Sequence, residues 1–176
     1  MNKIRPDFPE NIQRFFHNLD DYLDEELYFY GSVNRPDYVH GKSDIDIAVF
    51  TDNEQSVMAK LRHFIHAPQQ AFDKIVWKLQ GNMIHGYKIK CEKYVGIKCE
   101  IAVYNNDYKP ILLDDMTKYN YIPPYIAFLL FILKTIHYTF PLITSKAYAE
   151  YKRFLFNTLY INKNDTVFYL LKQSHS

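Results

Sequence analysis

Two aspartates one residue apart, Asp44 and Asp46 in the stretch SDIDIAVF, carry the first chemical signal in this chain. The stretch alternates and is β-branched, which predicts a strand. On a strand both carboxylates point to one face, about 7 Å apart, while Ile45 and Ile47 point into the core. Like charges so placed repel, and a divalent cation relieves the repulsion. Mg²⁺ prefers oxygen ligands and keeps coordination positions open for phosphate oxygens. Upstream, Gly31-Ser32 follows a short apolar run, with eleven residues between Ser32 and Asp44. Glycine there lets the backbone approach a triphosphate, and Ser32 offers a hydroxyl and an amide to phosphate oxygens.

The same region imitates a second signature. His40-Gly41-Lys42-Ser43 looks like the end of a P-loop. A P-loop needs its first glycine at position 36, where Pro36 stands, and a helix after the serine, where a strand pattern follows. Those departures exclude it. Lys42 remains a candidate contact for a triphosphate, Ser43 a turn cap or a phosphate contact, and Arg35 a further loop cation.

Taken together, Tyr30-Gly31-Ser32 and Asp44-Ile45-Asp46-Ile47 resemble the DNA polymerase beta-like nucleotidyltransferase superfamily. That pattern is an apolar residue, Gly, Gly or Ser, a gap, then Asp, apolar, Asp or Glu, apolar, and this chain matches every element. The resemblance covers about residues 27–104. It implies an α+β fold, a mixed β-sheet with helices on one side and the acids on one face. It also implies a third carboxylate on a later strand. Glu100, in IKCEIAVY, is the favoured candidate, and Glu92, Asp73 and Asp107 stay open. By the same resemblance Asp44, Asp46 and Glu100 are the catalytic metal ligands for two Mg²⁺ ions, with Mn²⁺ as a substitute. Gly31, Ser32, Lys42 and Ser43 are the nucleotide- or phosphate-binding residues. The implied reaction moves a nucleoside monophosphate from an NTP, ATP being favoured, to an acceptor hydroxyl, and pyrophosphate leaves. The acceptor stays open between RNA or tRNA, a protein side chain and a small molecule. The alternative is a catalytically inactive member acting as a nucleotide- or partner-binding module.

The elements that must position these residues follow from periodicity. Ile12, Phe15, Phe16, Leu19, Tyr22 and Leu23 have helical spacing, with Asp7 or Asn11 as the start signal. Leu27 to Tyr30 and Asp44 to Phe50 read as strands. Asp52 or Asn53 caps a helix with Val57, Met58, Leu61, Phe64 and Ile65 on its apolar face, ended by Pro68. Three strands follow, Phe72 to Leu79, Ile84 to Glu92 and Ile97 to Tyr104, with turns at Gly81-Asn82 and Tyr94-Val95-Gly96. IKCE occurs twice, eight residues apart, as two arms of one hairpin. A turn centred on Val95 puts Lys88 and Lys90 on the face of Glu100, where neutralising that carboxylate is their favoured role. Helices are predicted over Pro124 to Tyr138 and Ser145 to Tyr160, with a short one after Asn164. The catalytic core is assigned to residues 1–110 and a helical C-terminal segment, packed on it, to 111–176.

Composition narrows the function classes. The chain has 176 residues, 48% of them hydrophobic, which suits one ordered domain and excludes a disordered one. Net charge is +1, but residues 1–60 carry 6 basic and 12 acidic side chains, and residues 123–176 carry 6 and 2. The acids gather around Asp44 and Asp46, and the bases gather behind, where a polyanion would lie. Tyr148, Tyr151, Phe154 and Tyr160 alternate with Lys146, Lys152 and Arg153, a pattern of core plus snorkelling face or of single-strand stacking. The apolar run Ile122 to Leu133 is too short to span a bilayer and reads as a buried helix. With no leader pattern at the N-terminus, the expectation is a cytoplasmic protein with no membrane association. Cys91 and Cys99 match no zinc spacing and read as reduced, half-buried thiols. His63 and His66 lack a third ligand.

Overall fold

The computed structural model describes residues 4–118, 120, 122–140, 142–159 and 167–171. In chain order the elements are α1 (Glu10–Leu23), β1 (Leu27–Tyr30), β2 (Ile45–Thr51), α2 (Glu54–Phe64), β3 (Asp73–Leu79), β4 (Asn82–Lys90), α3 (Glu92–Val95), β5 (Cys99–Asn105), α4 (Lys109–Lys118), α5 (Pro124–Tyr138), α6 (Ser145–Leu159) and β6 (Val167–Leu171). The strands form one mixed sheet in the order β1-β2-β5-β4-β3-β6. β2 and β5 run parallel, and every other neighbouring pair is antiparallel. The α+β mixed-sheet fold stands.

Alternation along the two central strands explains the layers. Ile45, Ile47 and Val49 of β2 and Ile101 and Val103 of β5 join Phe16, Leu19 and Leu23 of α1 and Val57 and Leu61 of α2 in one buried cluster. Asp46, Ala48 and Phe50 take the opposite face. There Ala48, Phe50, Ala102 and Tyr104 pack against Leu112 and Met116 of α4. Helices therefore cover both faces of the sheet, which corrects the expectation of one side. Only the first residues of the strands on that face, Asp46 and Glu100, are acidic. The apolar residues beyond them need a cover, and α4 provides it. Gly86 on β4 makes room for this cluster, because a Cβ there would meet the Tyr104 ring at 2.5 Å.

Local chemistry sets the ends. Asn53 caps α2 by accepting the Ser56 amide at 3.0 Å. The β3–β4 hairpin turns on Gln80 and Gly81, at φ of 50° and 84°, one residue earlier than the Gly81-Asn82 expectation. Two positive φ values suit a two-residue hairpin loop. The β4–β5 pairing sets Lys90 opposite Glu100, as a turn centred on Val95 requires.

Three further expectations need correction. Val167–Leu171 is a strand paired with β3, not a short helix. The VFYLL sequence is rich in residues that favour strands. In α5 only the stripe Ile126, Leu130, Lys134 is buried, and Tyr125, Phe128 and Phe131 are exposed, so the run is not a buried helix. Cys91 and Cys99 are free thiols as read, but fully buried, because α3 and the sheet close over them. No described helix is long and apolar enough to cross a membrane.

Candidate active site

β1 ends at Tyr30, directly opposite Asp46 on β2. The next residue, Gly31, has a φ of 74° and opens a 3₁₀ turn over Gly31–Asn34. The Asn34 side chain ties the turn back to β1, its Nδ2 donating to the Phe29 carbonyl at 2.6 Å. A Cβ on Gly31 would lie 2.7 Å from Oδ2 of Asp46. Glycine is thus required twice, by the left-handed backbone and by the carboxylate behind it. Gly31, Ser32 and Asp46 line one cavity of about 300 Å³ together with Arg35, Trp77, Asp115, Lys152 and Phe156.

The parallel register sets Asp46 beside Glu100, with Ile45 beside Cys99. Burial, and then the charges of Glu100 and Asp44, push the Asp46 carboxyl up to about 7, with Lys152 opposing the shift. Asp44 lies exposed just ahead of the strand, its Oδ1 at 3.8 Å from the Lys98 ammonium. Glu100 is treated differently. Lys88 Nζ stands 2.8 Å from its Oε2 and Lys90 Nζ 3.0 Å from its Oε1. Burial raises the Glu100 carboxyl, but the two lysines outweigh it and hold it below the usual carboxylate range.

The other sequence candidates sit elsewhere. Lys42 is exposed, and its carbonyl accepts from Lys98 Nζ at 2.7 Å. Ser43 is buried, and its hydroxyl accepts from the Val39 amide and from Lys134 Nζ, at 3.3 and 3.2 Å. Neither lines the Asp46 cavity. Arg35 does line it, buried and paired with Asp37 at 2.8 Å. Glu92 is exposed in α3, and Asp107 is exposed beyond the far end of β5. Asp73 opens β3, opposite Lys88. His63 is hydrogen-bonded to the Tyr22 hydroxyl at 2.8 Å. Tyr160 lies outside the described residues. A second cavity, of about 460 Å³, lies against α2 and is lined by Gln55, Arg62, Gln69, Gln70 and Tyr87. It is larger but holds none of the carboxylates, so chemistry rather than size selects the first.

The donor set tests whether a divalent cation fits. Asp44 and Asp46 offer hard oxygen ligands, and the neighbouring charges of Glu100 and Asp44, which add to burial in lifting Asp46 to about 7, are an excess that a cation would relieve. Among the described residues no three His, Cys, Asp or Glu side chains converge on one point. Glu100 shares the acidic face but gives its oxygens to lysines.

The nucleotidyltransferase domain family matches residues 10–119, more than half of the chain. The chain is a nucleotidyltransferase-family protein. It is a member of the polymerase beta-like group that the Gly31-Ser32 and Asp44-Ile45-Asp46 blocks resemble. No curated protein matches it. Solved structures of the Cid1 poly(U) polymerase share its outline. The MgGTP-bound form is 17% identical, with a TM-score of 0.42 over 72% of this chain and 40% of that one. A second Cid1 structure is 15% identical, with a TM-score of 0.40 over 74% and 42%. This chain thus spans about 40% of the Cid1 chain, and a likeness at this level decides nothing about substrate.

Within this nucleotidyltransferase fold, sequence reasoning missed part of the cavity wall. Trp77, Asp115, Met116 and Phe156 line the cavity from β3, α4 and α6. Lys152 was visible as one of the tail bases, but no periodicity tells which way a helix 52 residues past Glu100 turns its lysine.

Proposed function

We propose that this protein transfers a nucleoside monophosphate from an NTP to an acceptor hydroxyl and releases pyrophosphate. One observation carries the reading: a glycine turn pressed against Asp46, in the cavity that also holds Ser32 and Lys152. Asp44 and Asp46 would hold a divalent cation, Mg²⁺ with Mn²⁺ as the substitute. When bound, it neutralises phosphate charge and acidifies a hydroxyl. The chain's own groups do the rest. The Gly31–Asn34 turn receives the polyphosphate at the end of β1. Lys152 lines the same cavity and its charge acts on Asp46, which offers a cation for phosphate there. The acceptor oxygen bonds to the α-phosphorus, the bond from that phosphorus to the bridging oxygen breaks, pyrophosphate takes the electron pair, and the hydroxyl proton passes to water.

The acidic strand end and the cavity support this reaction but say nothing of its acceptor, which stays among RNA or tRNA, a protein side chain and a small molecule. The test is incubation with each of the four α-labelled NTPs and Mg²⁺, alone and with total RNA, with cell lysate or with an aminoglycoside. Labelled acceptor plus pyrophosphate is the expected result. NTP binding with no release of pyrophosphate on any acceptor would favour the non-catalytic module, a reading that the lysines on Glu100 support.

A further inference from the structure

We propose that Glu100 anchors Lys88 instead of binding the cation, and that the Lys88 ammonium supplies the fixed positive charge a second divalent ion would bring. The inference rests on the nucleotidyltransferase reading and sets its metal count at one per chain.

Three observations carry it. First, both oxygens of Glu100 are occupied, Oε2 by Lys88 at 2.8 Å and Oε1 by Lys90 at 3.0 Å. Second, the arrangement belongs to the backbone register and not to a chance rotamer. Glu100 faces Lys90 directly across the β4–β5 ladder, and Lys88 sits two residues along on the same face. Third, the two lysines differ in exposure. Lys90 is 70% exposed and can leave for water, whereas Lys88 and Glu100 are each only 18% exposed. A dication could take Oε1 once Lys90 leaves, but it would then lie beside the Lys88 ammonium that stays on Oε2, a like charge in a partly desolvated place.

The remaining acids are not clamped in this way. Asp44 is exposed with Lys98 at 3.8 Å, beyond hydrogen-bond reach, and Asp46 borders the cavity beside Gly31. That leaves two carboxylates for one cation. Lys88 is held on the carboxylate that lies beside Asp46 in the parallel register, so its charge sits at the acidic end of the face. A fixed ammonium there stabilises negative charge on a transferring phosphoryl group without the reorganisation that a mobile ion requires.

The experiment counts Mn²⁺ on the full-length chain by the EPR signal of the free ion, so it reads binding rather than turnover. Wild type is expected to bind one Mn²⁺, and Glu100→Gln to bind it within about threefold of the wild-type affinity. Lys88→Met/Lys90→Met is expected to gain a second Mn²⁺, or to bind at least tenfold tighter, as Glu100 is released. Adding Glu100→Gln to that pair should return the count to one. In the transfer assay Lys88→Met should lower kcat with little change in KM for NTP, and Lys88→Arg, which keeps the charge, should recover much of it. Two Mn²⁺ on wild type, or a loss of tenfold or more in Glu100→Gln, would make Glu100 a ligand and overturn this proposal while leaving the nucleotidyltransferase reading in place. No Mn²⁺ on wild type, or binding unchanged in Asp44→Asn/Asp46→Asn, would remove the metal site itself and that reading with it. If the lysine variants fail to fold, the Glu100→Gln arm decides alone.

Discussion

Asp46 bears an electrostatic cost that suits the metal-ligand role proposed for it. Its carboxyl titrates near 7 in the metal-free fold because it is desolvated beside Glu100 and Asp44. In the unfolded chain it would titrate near 3.9. The folded state therefore holds the proton more tightly. Its stabilising contribution is complete below about pH 4 and is lost as pH rises through 7, up to a ceiling of about 4 kcal/mol. Asp46→Asn should abolish transfer, flatten this pH dependence, and raise the metal-free melting temperature at pH 8. Thermal melts of both proteins between pH 5 and 8 read the effect, and a variant less stable than wild type at pH 8 would make Asp46 a structural residue. Gly31→Ala tests the other side of the contact. A Cβ there meets Oδ2 of Asp46 at 2.7 Å, on a backbone with φ of 74°. We expect a stability cost of about 1 kcal/mol from the left-handed backbone, and a far larger loss of transfer because the carboxylate must move. Glu92→Gln, on exposed α3, should transfer at close to the wild-type rate, whereas Glu100→Gln should lose on the order of a hundredfold.

At the scale of elements, the loop between β1 and β2 is held to the helical pair by buried charge. Lys134 of α5 donates to the Asp37 carbonyl at 2.7 Å and pairs with its carboxylate at 2.9 Å. Arg35 takes the other side of Asp37 and lies under the Phe156 ring of α6. Burial alone would drive Lys134 to lose its proton, and its pKa is indeed lowered, while Asp37 stays below the usual carboxylate range under its two cations. Asp37→Asn leaves two buried cations without their anion, and Lys134→Met leaves Asp37 with Arg35. We expect about 3 kcal/mol for the lysine change and more for the aspartate change. Urea unfolding of both should give that order, and the reverse order would mean that Arg35 carries the loop alone. None of this was legible in the sequence, where Lys134 is one polar residue in an apolar helix. The Gly31-Ser32 turn and the strand that carries Asp46 were legible because strand alternation and glycine turns are local rules. The Lys88 and Lys90 partners of Glu100 were legible because a hairpin centred on Val95 fixes its own register. α4 was not, since Lys109-Pro110 and Asp114-Asp115 interrupt its apolar pattern, and its burial depends on a sheet face formed far away in sequence.

Across the whole molecule, the acidic front and basic rear become a rule for ligand order. Asp44, Asp46 and Glu100 end the two parallel strands on one face, while Arg35 and Lys152 border the cavity from the loop and from α6. An NTP arriving alone brings several negative charges to a carboxylate face where burial, and then the charges of Glu100 and Asp44, already lift Asp46 to about 7. A cation arriving alone must compete with the proton on Asp46 and lacks phosphate oxygens to complete its shell. Each therefore binds more weakly without the other, and together each removes the obstacle the other meets. Mg²⁺ with NTP should then raise the melting temperature by more than the sum of the separate shifts. At a hundred times Kd, a ligand specific for the native state contributes about 2.7 kcal/mol. For a chain of this size that corresponds to roughly 5–10 °C. EDTA should erase the shift, and Asp46→Asn should shrink it to that of NTP alone. Lys152→Met should shrink it too, but leave its dependence on EDTA, because the lysine meets phosphate and the aspartates meet the ion. An NTP shift indifferent to EDTA would mean that the nucleotide binds through cations alone, and the aspartates would then need another role.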